Sequence, residues 1–326
     1  MGTHARCGIN FAHAWQQGGL RGYASPQAAA ALRDLAGLQL RSVALTGFGW
    51  LESLHDSRVK WEHPPPGGET VEAIRGAAAS ARAARQTLMM KPHLWVHGGA
   101  WQAELTPDPA TGGWPAWFES YTRFIVAQAD LAAALHAEWF VVGNELGSAT
   151  AADPDAWRRL IATVRQHYHG KLTYAANWDE AERITFWGDL DAIGVNFYAP
   201  LATAAGASEE QMRTEAARWL ARYEALSERV GRSLLLTEVG FRNRAGTAAA
   251  PHAWPEHAPA DRTHAGDAEQ AQAYRAILST FGRSERVEAI YWWKAFSDPS
   301  TDEEGETGFS PVGKPAAQEL LRACPR

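Results

Sequence analysis

The stretch Trp139-Phe140-Val141-Val142-Gly143-Asn144-Glu145 constrains this chain more than any other. Apolar β-forming residues run without a break, as in a strand buried on both faces beneath helices. The Asn-Glu pair falls where such a strand would emerge. A second stretch, Leu234-Leu235-Leu236-Thr237-Glu238-Val239-Gly240, repeats the pattern and also ends in a glutamate. Only a fold that gathers the ends of distant strands can bring the two carboxylates together.

Similar runs recur along the chain. A first strand is expected over residues 6–11, a second over 40–45, a third over 88–96, a fifth over 172–176, a sixth over 192–198 and an eighth over 287–294. The two stretches above are the fourth and seventh. Helical patterns lie between them, over residues 27–36, 70–86, 117–136, 154–169, 208–230, 268–281 and 315–321. Pro26, Pro154 and Pro315 stand at helix starts, where a missing N–H costs nothing. Residues 46–50, 62–68 and 242–266 read as loops. Strands alternating with helices predict an α/β protein whose parallel sheet closes into a single (β/α)8 TIM barrel, one catalytic domain over residues 1–326. In that fold reacting groups collect at the C-terminal ends of the strands.

Composition narrows the partners. The apolar share of 46% supports a large core, and the net charge of −6 argues against nucleic acid or an anionic membrane surface. No apolar run reaches the ~18–20 residues needed to cross a bilayer. The N-terminus leads straight into a strand, so the expectation is a cytoplasmic protein or an exported one whose signal has been removed. A monomer without cofactor or metal is expected. His93 and His97 lie four apart on a strand and its loop, and His167 and His169 at a helix end, neither with the spacing of a barrel metal site. The two cysteines, Cys7 and Cys324, fall in the first strand and near the last helix. A bridge is open to them, but two free thiols are the expectation.

The chain carries 15 tryptophans, more than core packing asks for. Indole faces stack well on the C–H faces of pyranose rings, so about half are expected to face a ligand. Polar residues also collect at strand ends: Lys91, His93 and Trp95, Asn144 and Glu145, Asn177 and Trp178, Asn196 and Tyr198, Glu238, and Trp293. An unpaired buried carboxylate is costly, so Glu145 and Glu238 are the candidate catalytic pair. Two facing carboxyl groups suit glycoside hydrolysis: one protonates the leaving oxygen, and the other attacks the anomeric carbon or activates water. Opposed strands of a narrow barrel favour the short gap, about 5–5.5 Å, that gives retention. A carbohydrate-binding barrel without turnover would explain the aromatics but needs neither glutamate.

Several segments resemble a known family. An Asn-Glu ending the fourth strand, a Glu ending the seventh and a Trp ending the eighth resemble the clan A retaining glycoside hydrolases. Lys91-Pro92-His93, Gly143-Asn144-Glu145, Gly194-Val195-Asn196-Phe197-Tyr198, Thr237-Glu238-Val239-Gly240-Phe241-Arg242 and Tyr291-Trp292-Trp293 resemble glycoside hydrolase family 113, the β-mannanase family. The resemblance implies that Glu145 is the general acid/base and Glu238 the nucleophile of an enzyme acting on β-linked mannose chains. It implies that Asn144 binds the sugar 2-hydroxyl, Tyr198 bonds the nucleophile, Trp293 floors the site, and Trp178, Trp95 and Trp15 line neighbouring subsites. His93 and Lys91 either reach sugar hydroxyls or belong to a hydrogen-bonded barrel interior. Arg242 is placed to brace the nucleophile strand. Many clan members carry an Arg at the end of the second strand; Thr46-Gly47-Phe48 stands there instead. The alternatives left by the sequence are an exo-acting β-mannosidase and a β-glucanase of the same clan.

Overall fold

The structure, a computed structural model, describes residues 2–14, 21–64, 67–253, 266–300 and 304–325. Ten strands are present among them: β1 (Arg6–Ala12), β2 (Ser42–Leu45), β3 (Phe48–Leu51), β4 (Thr87–Met90), β5 (His93–Val96), β6 (Trp139–Asn144), β7 (Lys171–Asn177), β8 (Ala192–Phe197), β9 (Ser233–Val239) and β10 (Val287–Phe296). The helices are α1 (Pro26–Gly37), α2 (Val71–Ala83), α3 (Gly113–Ala134), α4 (Gly147–Ala152), α5 (Pro154–His167), α6 (Glu209–Val230), α7 (Asp267–Ser279) and α8 (Pro315–Ala323).

Eight strands close into a parallel barrel in the order β1-β10-β9-β8-β7-β6-β4-β2. This is the expected (β/α)8 barrel. Its interior is filled by Ala44, Met89, Trp139, Val141, Ala175, Leu235, Ala289 and Tyr291. A larger apolar layer lies between sheet and helices. Local chemistry starts the helices where the sequence says they should start. Ser25 accepts a hydrogen bond from the Ala28 N–H ahead of Pro26, and Ser208 and Gln211 form a reciprocal capping box on α6.

Two details differ from the expectations, and one connection is short. Residues 48–51 are not a loop: Phe48-Gly49-Trp50-Leu51 forms β3 and pairs in register with β5, Phe48 opposite His93 and Trp50 opposite Trp95. The expected third strand is broken at Lys91-Pro92, where proline offers no N–H to a ladder; β4 stays in the barrel and β5 pairs with β3 above the rim. No α-helix joins β7 to β8; two short 3₁₀ turns, Ala181–Arg183 and Trp187–Asp189, make the connection.

Cys7 and Cys324 are bonded to each other, their Cα atoms 5.7 Å apart. This corrects the expectation of free thiols. The end of α8 docks on the start of β1, with the Thr3 N–H bonded to the Ala323 carbonyl at 2.9 Å, and that docking brings the two side chains within bridging range. Trp117, Trp139, Trp157, Trp187 and Trp292 are fully buried, and Trp61, Trp114, Trp178 and Trp219 pack against the core. Trp15 lies outside the described residues.

Candidate active site

Alternation along the strands does not by itself aim the two glutamates at each other. In β9, Leu234 and Leu236 face the helices while Leu235 faces the axis. Strict alternation would send Glu238 outward with the first two. The β8–β9 ladder shifts register between Val195 and Asn196, so that Asn196 stands opposite Glu238 rather than Thr237. The bulge turns Glu238 inward. The β6–β7 ladder shifts likewise between Val141 and Asn144, which turns Asn144 into the barrel mouth.

Glu238 is 5% exposed and holds a partner on each oxygen. Lys91 Nζ bonds Oε1, and the Tyr198 hydroxyl donates to Oε2 at 2.7 Å. An ammonium on one oxygen and a phenol on the other match a carboxylate anion. Lys91 is fully buried, so of its two expected settings the hydrogen-bonded interior is the observed one. Its ammonium lies 3.3 Å from His93 Nε2. An ammonium only donates, so Nε2 accepts and the ring proton sits on Nδ1. Burial, with Lys91 and Lys294 nearby, holds the His93 imidazole well below its usual range and therefore neutral. Burial and the Glu238 charge push the Tyr198 hydroxyl well above the ordinary tyrosine range, which keeps it a donor.

Glu145 has a different setting. Asn196 Nδ2 donates to its Oε1 at 2.9 Å, and Trp101 Nε1 donates to its Oε2 at 3.2 Å. Burial first, then the charge of Glu238, push its carboxyl up to about 7. The two carboxyl groups are close enough to feel each other and stand in opposite environments, the arrangement that separates an acid from a nucleophile. Asn196 is shared: its Nδ2 also reaches Asn144 Oδ1 at 2.9 Å, and its own Oδ1 accepts from Thr237 Oγ1 at 2.8 Å. Asn144 is therefore left with its NH2 to donate.

The aromatic residues divide. Trp293 stands at the mouth with its ring parallel to His93, 6.2 Å between centroids. Trp95 is 48% exposed beyond the rim, on the side of β5 that carries His93. Trp178 is half-buried, edge-on to Trp219 at 5.3 Å and near His252. Arg242 does not reach Glu238: its guanidinium bonds the Thr307 carbonyl and lies 5.5 Å over the Phe309 ring. Phe309 in turn meets Tyr198 edge-on, so Arg242 supports the wall behind that tyrosine. Among the described residues no cluster of His, Cys, Asp or Glu could hold a metal ion.

Two residues of the site escaped sequence reading. Trp101 sits in an aromatic-rich loop with no periodicity to aim it. Asn10 interrupts the apolar first strand, which was a usable signal; its amide bonds the carbonyls of Thr237 at 3.1 Å and Trp292 at 3.3 Å, tying β1 to the strands of Glu238 and Trp293.

The chain matches Glycoside Hydrolase Family 113 over residues 11–314. Among solved structures, the GH113 β-mannanase AaManA from Alicyclobacillus acidocaldarius aligns with a TM-score of 0.82 at 25% identity, over 99% of this chain and 97% of that one. A GH113 β-1,4-mannanase aligns at 0.84 with 22% identity, over 99% and 98%. A Bacteroidetes-affiliated GH5 cellulase aligns at 0.59 with 14% identity, over 98% and 90%. The last two likenesses speak to the fold. No curated protein matches the sequence.

Proposed function

The chain belongs to glycoside hydrolase family 113, and from that premise we propose that it is a retaining, endo-acting hydrolase of β-1,4-mannosidic bonds in mannan, glucomannan and manno-oligosaccharides. The observation that carries the mechanism is the contrast between its two carboxyl groups. Glu238 is held by a buried ammonium and a phenol; Glu145 is half-buried, raised to about 7, and receives only neutral donors.

In the first step protonated Glu145 gives its proton to the glycosidic oxygen. A Glu238 oxygen attacks the anomeric carbon, the C–O bond to the leaving sugar breaks, and a glycosyl ester forms. In the second step the Glu145 carboxylate takes a proton from water. The water oxygen attacks the same carbon and Glu238 leaves as a carboxylate. Two inversions give net retention. Asn144, with its NH2 free to donate, suits the sugar 2-hydroxyl. Trp293 forms the floor, and Trp95, Trp101 and Trp178 provide faces for flanking sugars. The acidic balance and the aromatic side chains at the barrel mouth fit a neutral polysaccharide.

The test is product analysis on mannohexaose, with cellohexaose in parallel, for wild type and Glu238→Gln. Mixed short manno-oligosaccharides, β-configured when first released and lost in the variant, are expected. Mannose alone from the start would make the enzyme exo-acting. Cleavage of cellohexaose only would overturn the mannan assignment, and an α-configured first product would overturn retention.

A further inference from the structure

Glu145 occupies the left-handed region, with φ of 51°. A residue with a Cβ is strained there and stays only where its surroundings over-determine it. The partners of the two backbone N–H groups that flank it are both on β7. The Glu145 N–H bonds the Ala175 carbonyl at 2.9 Å, which fixes the peptide before it. The next N–H, of Leu146, bonds the Tyr174 hydroxyl oxygen at 2.7 Å, which fixes the peptide after it. With both flanking peptide planes held by β7, the Cα–Cβ direction of Glu145 is set.

The second of these bonds needs Tyr174 to accept. A phenol rotates freely unless its proton is committed elsewhere. Here it is committed to Glu180 Oε1, at 3.3 Å. Glu180 is 4% exposed. Its other partners are the Thr150 hydroxyl at 2.7 Å and the Asn177 N–H at 3.2 Å. A carboxyl buried in this way is costly to keep, and nothing in the two-step reaction uses it. Gly143 completes the arrangement: a Cβ there would lie 2.9 Å from the Tyr174 ring and 2.7 Å from Trp157, so glycine lets the tyrosine reach in beneath the Asn144-Glu145 turn.

We propose that Tyr174 and Glu180 are positioning residues for the acid/base: Glu180 orients the Tyr174 hydroxyl, and that hydroxyl pins the backbone that aims Glu145 at the leaving-group oxygen. The claim rests on the reading of Glu145 as the acid/base. Its consequence is selective. Departure of a sugar needs the proton from Glu145, whereas 2,4-dinitrophenolate leaves as a stable anion without one. Misaiming the acid therefore harms natural substrates and spares activated ones.

The experiment compares Tyr174→Phe and Glu180→Gln with wild type on mannohexaose and on 2,4-dinitrophenyl β-mannobioside, following the dinitrophenolate burst by stopped flow. Tyr174→Phe is expected to lose about 30–100-fold in kcat/KM on mannohexaose, the scale of an ångström-sized misplacement, with the burst rate changed less than about threefold. Glu180→Gln keeps the side chain's size and should shift the same way by a smaller factor; it carries the test if Tyr174→Phe does not fold. Equal losses on both substrates in folded variants, or no loss on either, would overturn the proposal. Glu145→Ala serves as control, expected to keep the burst, to lose mannohexaose turnover and to recover turnover of the aryl substrate with azide. Wild-type turnover of mannohexaose by Glu145→Ala would overturn the reading of Glu145 and the positioning claim with it. The control pattern without its counterpart in Tyr174→Phe would overturn the positioning claim alone.

Discussion

Lys91, fully buried where β4 breaks from β5, places its ammonium on Glu238 Oε1 at the end of β9. The pair spans the barrel mouth and ties the end of β9 to the break between β4 and β5, remote from it in the chain. It supplies the positive charge that the second strand, with Thr46-Gly47-Phe48, does not. Burial lowers the Lys91 ammonium from the ordinary lysine range, and the charges of Glu238 and then Glu145 pull against that.

Removing one member of a buried ion pair leaves the other unpaired, at about 3–5 kcal/mol. Lys91→Met is therefore expected to lower stability by about that much and kcat/KM on mannohexaose by at least about 100-fold. Urea unfolding at pH 7 and steady-state kinetics check this. A variant as stable and active as wild type would show the pair to be dispensable.

The raised carboxyl of Glu145 sets a pH window. With Glu145 as the proposed acid, activity needs its protonated form, so kcat/KM should fall through a basic limb near pH 7. Stability follows the same group. Between about 4.5, its unfolded value, and about 7, the folded protein holds a proton that the unfolded chain has released. Raising pH through that window therefore costs stability. Glu145→Gln removes the cost and should gain on wild type between pH 5 and pH 8 by about 1–3 kcal/mol, the lower end reflecting a carboxyl partly open to cleft water. Parallel stability curves for the two proteins would refute the assignment.

Trp101 donates its indole N–H to Glu145 and so favours the carboxylate. Trp101→Phe keeps an aromatic face but lacks the donor. The basic limb of kcat/KM is expected to move upward by up to about half a pH unit, the scale of one neutral hydrogen bond. An unmoved limb, or a downward shift, in the pH–rate profile would contradict the contact.

The Cys7–Cys324 bridge closes a loop of 317 positions far from the barrel mouth. Reduction, or Cys7→Ala with Cys324→Ala, should cost about 2–5 kcal/mol of stability and leave kcat/KM on mannohexaose unchanged at 25 °C. Thermal unfolding with and without dithiothreitol measures the first, and coincident curves would argue that the bridge does not form.

Much of this protein was legible in one dimension. Unbroken apolar runs such as 139–142 and 234–236 mark strands buried on both faces, and their alternation with capped helices leaves little besides a closed parallel barrel. The position of a polar residue at the end of such a run locates Glu145, Glu238, Tyr198 and Trp293, because the fold puts every such end at one mouth. Local signals failed where a residue's partner is distant or its strand irregular. Residues 48–50 looked like part of a loop because β3 exists only through its pairing with β5.

The sequence by itself determined the fold, the candidate pair and the family, since these depend on periodicity and on motifs a few residues long. The tertiary structure decided what each side chain touches. Register shifts turn Glu238 and Asn144 inward against strict alternation. Closure of the barrel sets Lys91 on Glu238 rather than on a sugar, docks α8 so that Cys7 meets Cys324, and places Tyr174 and Glu180 behind Glu145. The physical reason is that a carboxylate, an ammonium or a thiol carries no record of its partner in the residues beside it; the partner is chosen by the distances that a closed sheet imposes between strands far apart in the chain.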